Sequence, residues 1–404
     1  MSRRDFLRTT GACAALELPL GQAFARAKPT DGKKVFRWAF PVAETGFDPV
    51  QISDLYSNYV VSNIIEPPLE HDYLARPTEL RPRVAEALPE ISADFRTFTV
   101  RIRRGIYFED DPAFKGARRE LVAADFVHTL KRVADPRWKS PNWAAIDSSG
   151  ILGLGEMRKA ASGGAKFDYD RELEGIRTLD RYTFQVKLAT PSPRFAENLA
   201  DTRLFGGMAR EVVEAYGDEL MSKPVGTGPF RLAEWTRSSR IVLERSPTYR
   251  GDPFDAHPPA DDVRGQEIVA RLKGKKMPMI DRVEISIISE SQPRWLSFLS
   301  GEQDIIAVPL EFINVAVPNG HLSPALARRG IVFERTLQPD VVLTLFNLED
   351  AVIGGYTPEK VALRRAISLG YNIDEEIRLI RRNSMTRAQS PVPPYTSGYN
   401  PNFV

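Results

Sequence analysis

Residues Asp281–Ser289 read DRVEISIIS, with Val283, Ile285 and Ile287 at every second position. A strand turns successive side chains to opposite faces, so this spacing predicts a strand with one face on a core. Upstream, Gly251–Met277 (GDPFDAHPPADDVRGQEIVARLKGKKM) is polar, charge-rich and interrupted by prolines, and reads as a long surface insertion or linker. Downstream, Trp295, Leu296 and Leu299 mark a short helix closed by Gly301.

The same alternation recurs nearer the N-terminus. In TFTVRIRRG, Phe98, Val100 and Ile102 oppose Thr97, Thr99, Arg101 and Arg103, and YTFQVKL repeats the pattern through Phe184, Val186 and Leu188. Val35–Phe40 (VFRWAF) reads as a first strand, left through a loop rich in proline and glycine. Leu55, Tyr59, Val60 and Ile64 recur at helical spacing ahead of Pro67-Pro68. Val122, Phe126, Val127, Leu130 and Val133 mark a second helix that Pro136 ends. Thr357-Pro358 is an N-cap and first-turn pair for a helix that Gly370 is placed to terminate. Strands and helices mix without strict alternation, which predicts a loop-rich mixed α/β (α+β) protein.

The length, 404 residues, suits two domains or one two-lobed body. Hydrophobic residues make up 42% and charged residues 27%, the balance of a packed globular chain. A formal net charge of +2 leaves no broad basic face for phosphate neutralisation, so nucleic acid is not an expected partner. One cysteine, Cys13, allows no internal disulfide and no thiolate metal cluster. The four histidines, His71, His128, His257 and His321, are far apart and give no local zinc spacing. No metal site and no cofactor are expected.

The opening Ser2-Arg3-Arg4-Asp5-Phe6-Leu7-Arg8 fits a twin-arginine pattern, followed by an apolar segment and the small-x-small site Ala23-Phe24-Ala25. An amphipathic N-terminal helix is the competing reading, but Gly11, Pro19 and Gly21 interrupt it. A signal peptide over 1–25 is therefore expected, with the mature chain in the periplasm. No later stretch approaches the ~20 apolar residues of a membrane span.

Chemical motifs are sparse. VGTGPF (Val225–Phe230) has a Gly-x-Gly that could cradle a phosphate, yet no helix pattern follows, and a tight turn explains it better. Glu109, Asp110 and Asp111 precede Pro112 without the alternating oxygens of a calcium loop, and read as a solvated turn. Arg101, Arg103 and Arg104 read as a solvated strand edge. There is no GxSxG, HExxH or CxxC motif, so no residue is assigned a catalytic role.

Seven segments in order carry a resemblance: GFDPVQISDLYSNYVVSNIIEPPLEHD, LRPRVAEALPEISADFRTFTVRIRRGIYFEDDPAFKG, LVAADFVHTLKRVADP, PVGTGPFRLAEW, IVLERSPTYRG, LSGEQDI and VALRRAISLGYNIDEEI. Together, from about Phe36 to the end, the chain resembles extracellular solute-binding protein family 5, which includes the oligopeptide- and dipeptide-binding proteins of ABC transporters. The resemblance implies a two-lobed periplasmic-binding-protein-like clamshell that traps a ligand and hands it to a permease. It implies that 26–287 form lobe I, with 251–277 as an insertion, and that 288–404 form part of lobe II, with a hinge at Ser286–Glu290. It gives Asp48-Pro49, Glu66 and the VGTGPF turn structural jobs in lobe I. The family's chains continue past the point where this one stops, so the second lobe is expected to be incomplete and the chain a truncated or split member.

On that resemblance the ligand-binding candidates are Glu44, Thr45, Gly46 and Phe47 on the loop after the first strand. Arg294 and Trp295 just past the hinge, and Phe346 and Asn347 at the end of a lobe II strand, complete the set. For Phe47, Trp295 and Phe346 a core role competes, and Arg294 has a solvated-helix alternative. The expected function is a monomeric, non-enzymatic receptor for peptides that partners an ABC permease. The competing expectations are a non-functional or split receptor and an exported hydrolase with dispersed carboxylates.

Overall fold

A computed structural model describes residues 32–403. The signal peptide expected over 1–25 and Cys13 lie outside these residues. Among the described residues the strands are β1 (Val35–Phe40), β2 (Leu69–His71), β3 (Leu80–Pro82), β4 (Glu90–Ile91), β5 (Thr97–Arg101), β6 (Ile176–Asp180), β7 (Thr183–Lys187), β8 (Phe230–Thr236), β9 (Arg240–Arg245) and β10 (Arg282–Ile287).

The stretch DRVEISIIS supplies β10, an interior strand. It runs parallel to β1, from Val35 opposite Arg282 to Phe40 opposite Ile287, and antiparallel to β9, so the sheet order is β1-β10-β9-β8. The strand register sorts the side chains by face. Trp38 and Phe40, Ile285 and Ile287, and Ile241 and Leu243 share one face and pack into the main core. Arg37, Arg282, Glu284, Glu244 and Arg231 share the other, where Arg282 bridges Glu244 at 3.0 Å and Arg231 reaches Glu244 at 3.2 Å. Period-2 patterning alone fixes that division.

A second sheet, β4-β5-β7-β6, is antiparallel throughout. Phe98 faces Val186 and Val100 faces Phe184, and all four are fully buried. Helix α2 (Ala123–Ala134) covers this sheet, with Phe126 stacked on Phe184 at 5.5 Å between ring centroids. Asp125 starts α2 by accepting from the Val122 backbone N–H at 2.8 Å, and Asp135-Pro136 ends it. The shorter helix α1 (Leu55–Val61) is N-capped by Asp54, which accepts from the Ser57 N–H at 2.7 Å.

The buried apolar residues fall into two clusters. The larger runs from Phe40 to Ile285. The smaller is centred on Trp295, Ala316, Val317 and Leu326, with Phe298, Phe312 and Phe333 against it. Ile288–Glu290 connect them, and the helix Ser291–Leu299 opens the second body. The chain then returns to the first sheet, where Ile305 bridges Trp38 in parallel and the Asp304 N–H donates to the Arg37 carbonyl at 2.9 Å. No helix among the described residues is long and apolar enough to cross a membrane.

Three local expectations are corrected. The insertion 251–277 contains a ten-residue helix, Val263–Leu272, whose N-cap Asp262 accepts from the Gly265 N–H at 2.9 Å. Its apolar residues are too few to stand out against the charges. Gly370 is the last residue of the helix Pro358–Gly370 rather than the residue beyond it, and the cap falls on Tyr371. Phe346 ends no strand, because the segment before it has no partner strand among the described residues to receive its backbone hydrogen bonds.

Candidate functional site

The loop leaving β1 returns the chain against α1, the β8–β9 hairpin and the segment joining the two bodies. Glu44 is only 3% exposed, and its Oε1 accepts from Trp235 Nε1 at 2.6 Å and from the Ser238 N–H at 2.9 Å. It therefore ties the loop to the tip of the hairpin. Thr45 is exposed, but its N–H donates to Ser57 Oγ at 2.9 Å and its hydroxyl to Asp54 Oδ2 at 2.6 Å. Burial opposes ionisation of Asp54, yet hydrogen bonds from Thr45 and Ser57 outweigh it and hold the carboxyl below its usual range.

Gly46 is favoured by its backbone conformation. Its backbone φ is +153°, a conformation that side chains with a Cβ rarely adopt, and the next residue, Phe47, donates its N–H to the Met221 carbonyl at 2.9 Å. The Phe47 ring is fully buried and meets Trp235 edge-on at 4.9 Å. Its packing is that of a core residue.

The connecting segment is held from three sides. The Ile287 N–H donates to the Ser239 carbonyl and the Ile288 N–H to the Phe40 carbonyl, both at 2.9 Å. Arg294 Nη1 reaches back to the Ile288 and Ser289 carbonyls at 2.6 and 2.9 Å. Arg294 therefore does not behave as a solvated helix residue. Trp295, 5% exposed, stacks on Phe312 at 5.4 Å inside the second cluster.

Phe346 is half-buried and Asn347 exposed, with Asn347 Oδ1 accepting from the Glu349 N–H at 3.0 Å in a local turn. Neither makes a hydrogen bond or ring contact with the loop or the connecting segment. Glu44 thus meets the β8–β9 hairpin and Arg294 the connecting segment, each through its own hydrogen bonds, and Phe346 and Asn347 stand apart from both.

Two buried charge clusters lie within the first body. Arg132 and Asp48, both fully buried, pair at 2.7 and 3.1 Å, with the guanidinium 4.2 Å from the Trp138 ring centroid. Glu66, also fully buried, accepts from Arg83 at 3.0 Å, Arg250 at 2.8 and 2.9 Å and Thr227 at 2.8 Å. Burial opposes its charge, and the Arg83 and Arg250 cations overcome that to keep the carboxyl low. The VGTGPF turn has a packing role here, since its Thr227 is one of the donors to Glu66. A Cβ on Gly226 would collide with the Ile64 carbonyl, so the glycine is there to let two stretches of backbone pack together.

Sequence reasoning missed Trp235, Ser238 and the basic partners of Asp48 and Glu66, since each partner is far along the chain. No group of three or more metal-ligating side chains gathers among the described residues. Thr45 is exposed on the loop, and the Arg294 guanidinium lies on Ile288 and Ser289, which lead from β10 into the second cluster.

Comparison with known proteins bears on the family and the fold. The model of bacterial extracellular solute-binding proteins, family 5 (middle), matches residues 79–404. The periplasmic oligopeptide-binding protein of Salmonella typhimurium is 28% identical over 204 residues, 50% of this chain and 34% of that protein. Di/tripeptide-binding protein 2 of Pseudomonas aeruginosa is 23% identical over 326 residues, 79% of this chain and 51% of that one. Among solved structures, the periplasmic binding protein DppA of Helicobacter pylori in complex with the peptide STSA aligns with a TM-score of 0.66 at 21% identity. That alignment covers 92% of this chain and 63% of the other. The chain spans about half or less of the length of the curated relatives it matches.

Proposed function

The chain belongs to the bacterial extracellular solute-binding proteins, family 5, and from that membership we propose that it is the exported receptor of an ABC importer. It binds peptides and delivers them to a permease in the cytoplasmic membrane. The family match across 79–404 carries the reading, and the peptide-binding names of the relatives supply the ligand class. Residues 26–287 act as lobe I, with 251–277 an elaboration on it, and 288–404 contribute to lobe II. Two separate apolar clusters joined through Ile288–Glu290 support that division and a hinge at the joint.

In this reading the loop Glu44–Phe47 lines the cleft from lobe I. Thr45 touches the ligand, while Glu44, Gly46 and Phe47 hold the loop in shape. Arg294 and Trp295 belong to the joint and to the packing just beyond it, and Phe346 and Asn347 face the cleft from lobe II. Closure about the joint would strip water from the bound peptide and strengthen its backbone hydrogen bonds. Residues 1–25 serve as a twin-arginine signal, and the mature protein works as a periplasmic monomer.

Titration calorimetry of the purified chain with di-, tri- and longer peptides tests this, with the peptides recovered and weighed afterwards. The expected result is saturable one-to-one binding with every peptide intact. Binding to none of them, or release of cleaved peptide, overturns the reading. Thr45→Arg is expected to weaken binding by about tenfold or more while the melting temperature stays close to that of the parent.

A further inference from the structure

The elaboration Gly251–Met277 carries five acidic and five basic side chains, so its sequence is balanced. Its pairing is not. Asp252 is held by Arg250 at 2.6 Å, Asp255 by His257 at 3.6 Å and Glu267 by Arg264 at 3.3 Å, while Asp262 caps the helix Val263–Leu272. Of the basic residues only Arg264 is engaged, by Glu267 and by Glu334 at 2.6 Å. Arg271, Lys273, Lys275 and Lys276 are exposed, and none of their side chains has a carboxylate, hydrogen-bond or ring partner among the described residues. Asp252, Asp262 and Glu267 are thus committed to close partners, Asp261 is exposed without one, and four cations are left facing out.

These cations sit on ordered backbone rather than a loose tail. The Lys273 N–H donates to the Val269 carbonyl at 2.8 Å, the Lys275 N–H to Leu272 at 2.9 Å, and the Lys275 carbonyl accepts from the Phe254 N–H at 2.8 Å. Pro253 and Lys276 form a bridge that closes the segment on itself. The segment is also fastened to the first body, because His257 donates its backbone N–H to Asp72 and Arg81 reaches the Asp255 carbonyl.

We propose that Arg271, Lys273, Lys275 and Lys276 form a basic ledge that docks the protein on an anionic phospholipid surface. Three of the four are lysines, compact charges without the planar fork that fixes arginine onto one carboxylate geometry. They suit a fluid array of headgroup phosphates better than a fixed acidic patch on a protein. The segment is fastened to the first body at its start and carries the four cations towards its end. The proposal deepens the receptor reading and rests on it, since a receptor that serves a permease works at a membrane surface.

The test is co-sedimentation of the purified chain with vesicles of phosphatidylcholine alone or containing phosphatidylglycerol, at low and high salt. The parent should bind only the anionic vesicles and release them in high salt. A variant carrying Arg271→Gln, Lys273→Gln, Lys275→Gln and Lys276→Gln should lose about a hundredfold or more in vesicle affinity, with an unchanged melting temperature and unchanged peptide calorimetry. Equal binding to neutral vesicles, or equal binding by the variant, overturns the ledge. So does a parent that binds no vesicle while the variant alone fails to bind the permease, which would assign the ledge to an acidic protein surface. Peptide binding is read separately. Vesicle binding without peptide binding would sink the receptor reading and leave the ledge standing, and the reverse result would do the opposite.

Discussion

At the scale of single residues, the buried pair Asp48–Arg132 sets the strongest local demand. Both side chains are fully buried, and the geometry is a two-point contact at 2.7 and 3.1 Å. Such a pair need not stabilise more than an apolar pair would, but removing one partner leaves a charge stranded in the core. Asp48→Asn is therefore expected to cost about 3–5 kcal/mol, read as a shift of the urea midpoint. Arg101 and Glu90 give the contrast, paired at 2.7 Å with both side chains more than half exposed. Glu90→Gln should change stability by less than about 1 kcal/mol in the same assay. Phe47 belongs with Asp48 rather than with ligand contacts, and Phe47→Ala should cost about 3–5 kcal/mol through the cavity it leaves.

At the scale of elements, α2 carries a titrating group on its buried side. Burial first, then the nearby Arg132, Arg210 and Lys131 cations, push the His128 imidazole down to about 3, with Glu211 opposing weakly. Its ring lies 5.0 Å from that of Tyr169, and its Nδ1 has no hydrogen-bond partner. The native state keeps this histidine neutral, whereas the unfolded chain protonates it near pH 6.5. Its contribution is complete above that pH and is lost progressively as pH falls from about 6.5 toward 3. Between pH 7.5 and 5.0 the loss is about 2 kcal/mol. His128→Gln should remove that part of the pH dependence, so denaturant titrations of parent and variant at the two pH values should differ in slope. An unchanged slope would mean the imidazole titrates in the native state as it does in the unfolded one. The core face of α2 was legible in the sequence, because Phe126, Leu130 and Val133 repeat at helical spacing. The strands β5, β7 and β10 were legible through alternation. The helix Val263–Leu272 was not, since charges surround its few apolar residues, and the partners of Glu44 were not, since Trp235 and Ser238 meet it only after the hairpin has folded.

At the scale of the whole molecule, the sequence order of segments indicated two bodies, and the structure separates two apolar clusters at Ile288–Glu290. What the order of segments could not reveal is how the joint is held, because hydrogen bonds to backbone carbonyls leave no pattern in side-chain identity. Arg294 spans the joint from the second body, and its two bonds to the Ile288 and Ser289 carbonyls restrict the backbone there. If that guanidinium sets the angle between the bodies, Arg294→Ala should broaden the range of angles while leaving both cores intact. The stability cost should stay within about 1–3 kcal/mol, the worth of hydrogen bonds to a charged group. Distances between spin labels at Glu174 in the first body and Arg328 in the second, both exposed positions, would report the change in a background lacking Cys13. A wider distance distribution in the variant, narrowed again by peptide, is the expected outcome. An identical distribution in parent and variant would assign the angle instead to the backbone bonds from Ile287 and Ile288, and Arg294 would then be a packing residue of the second body alone.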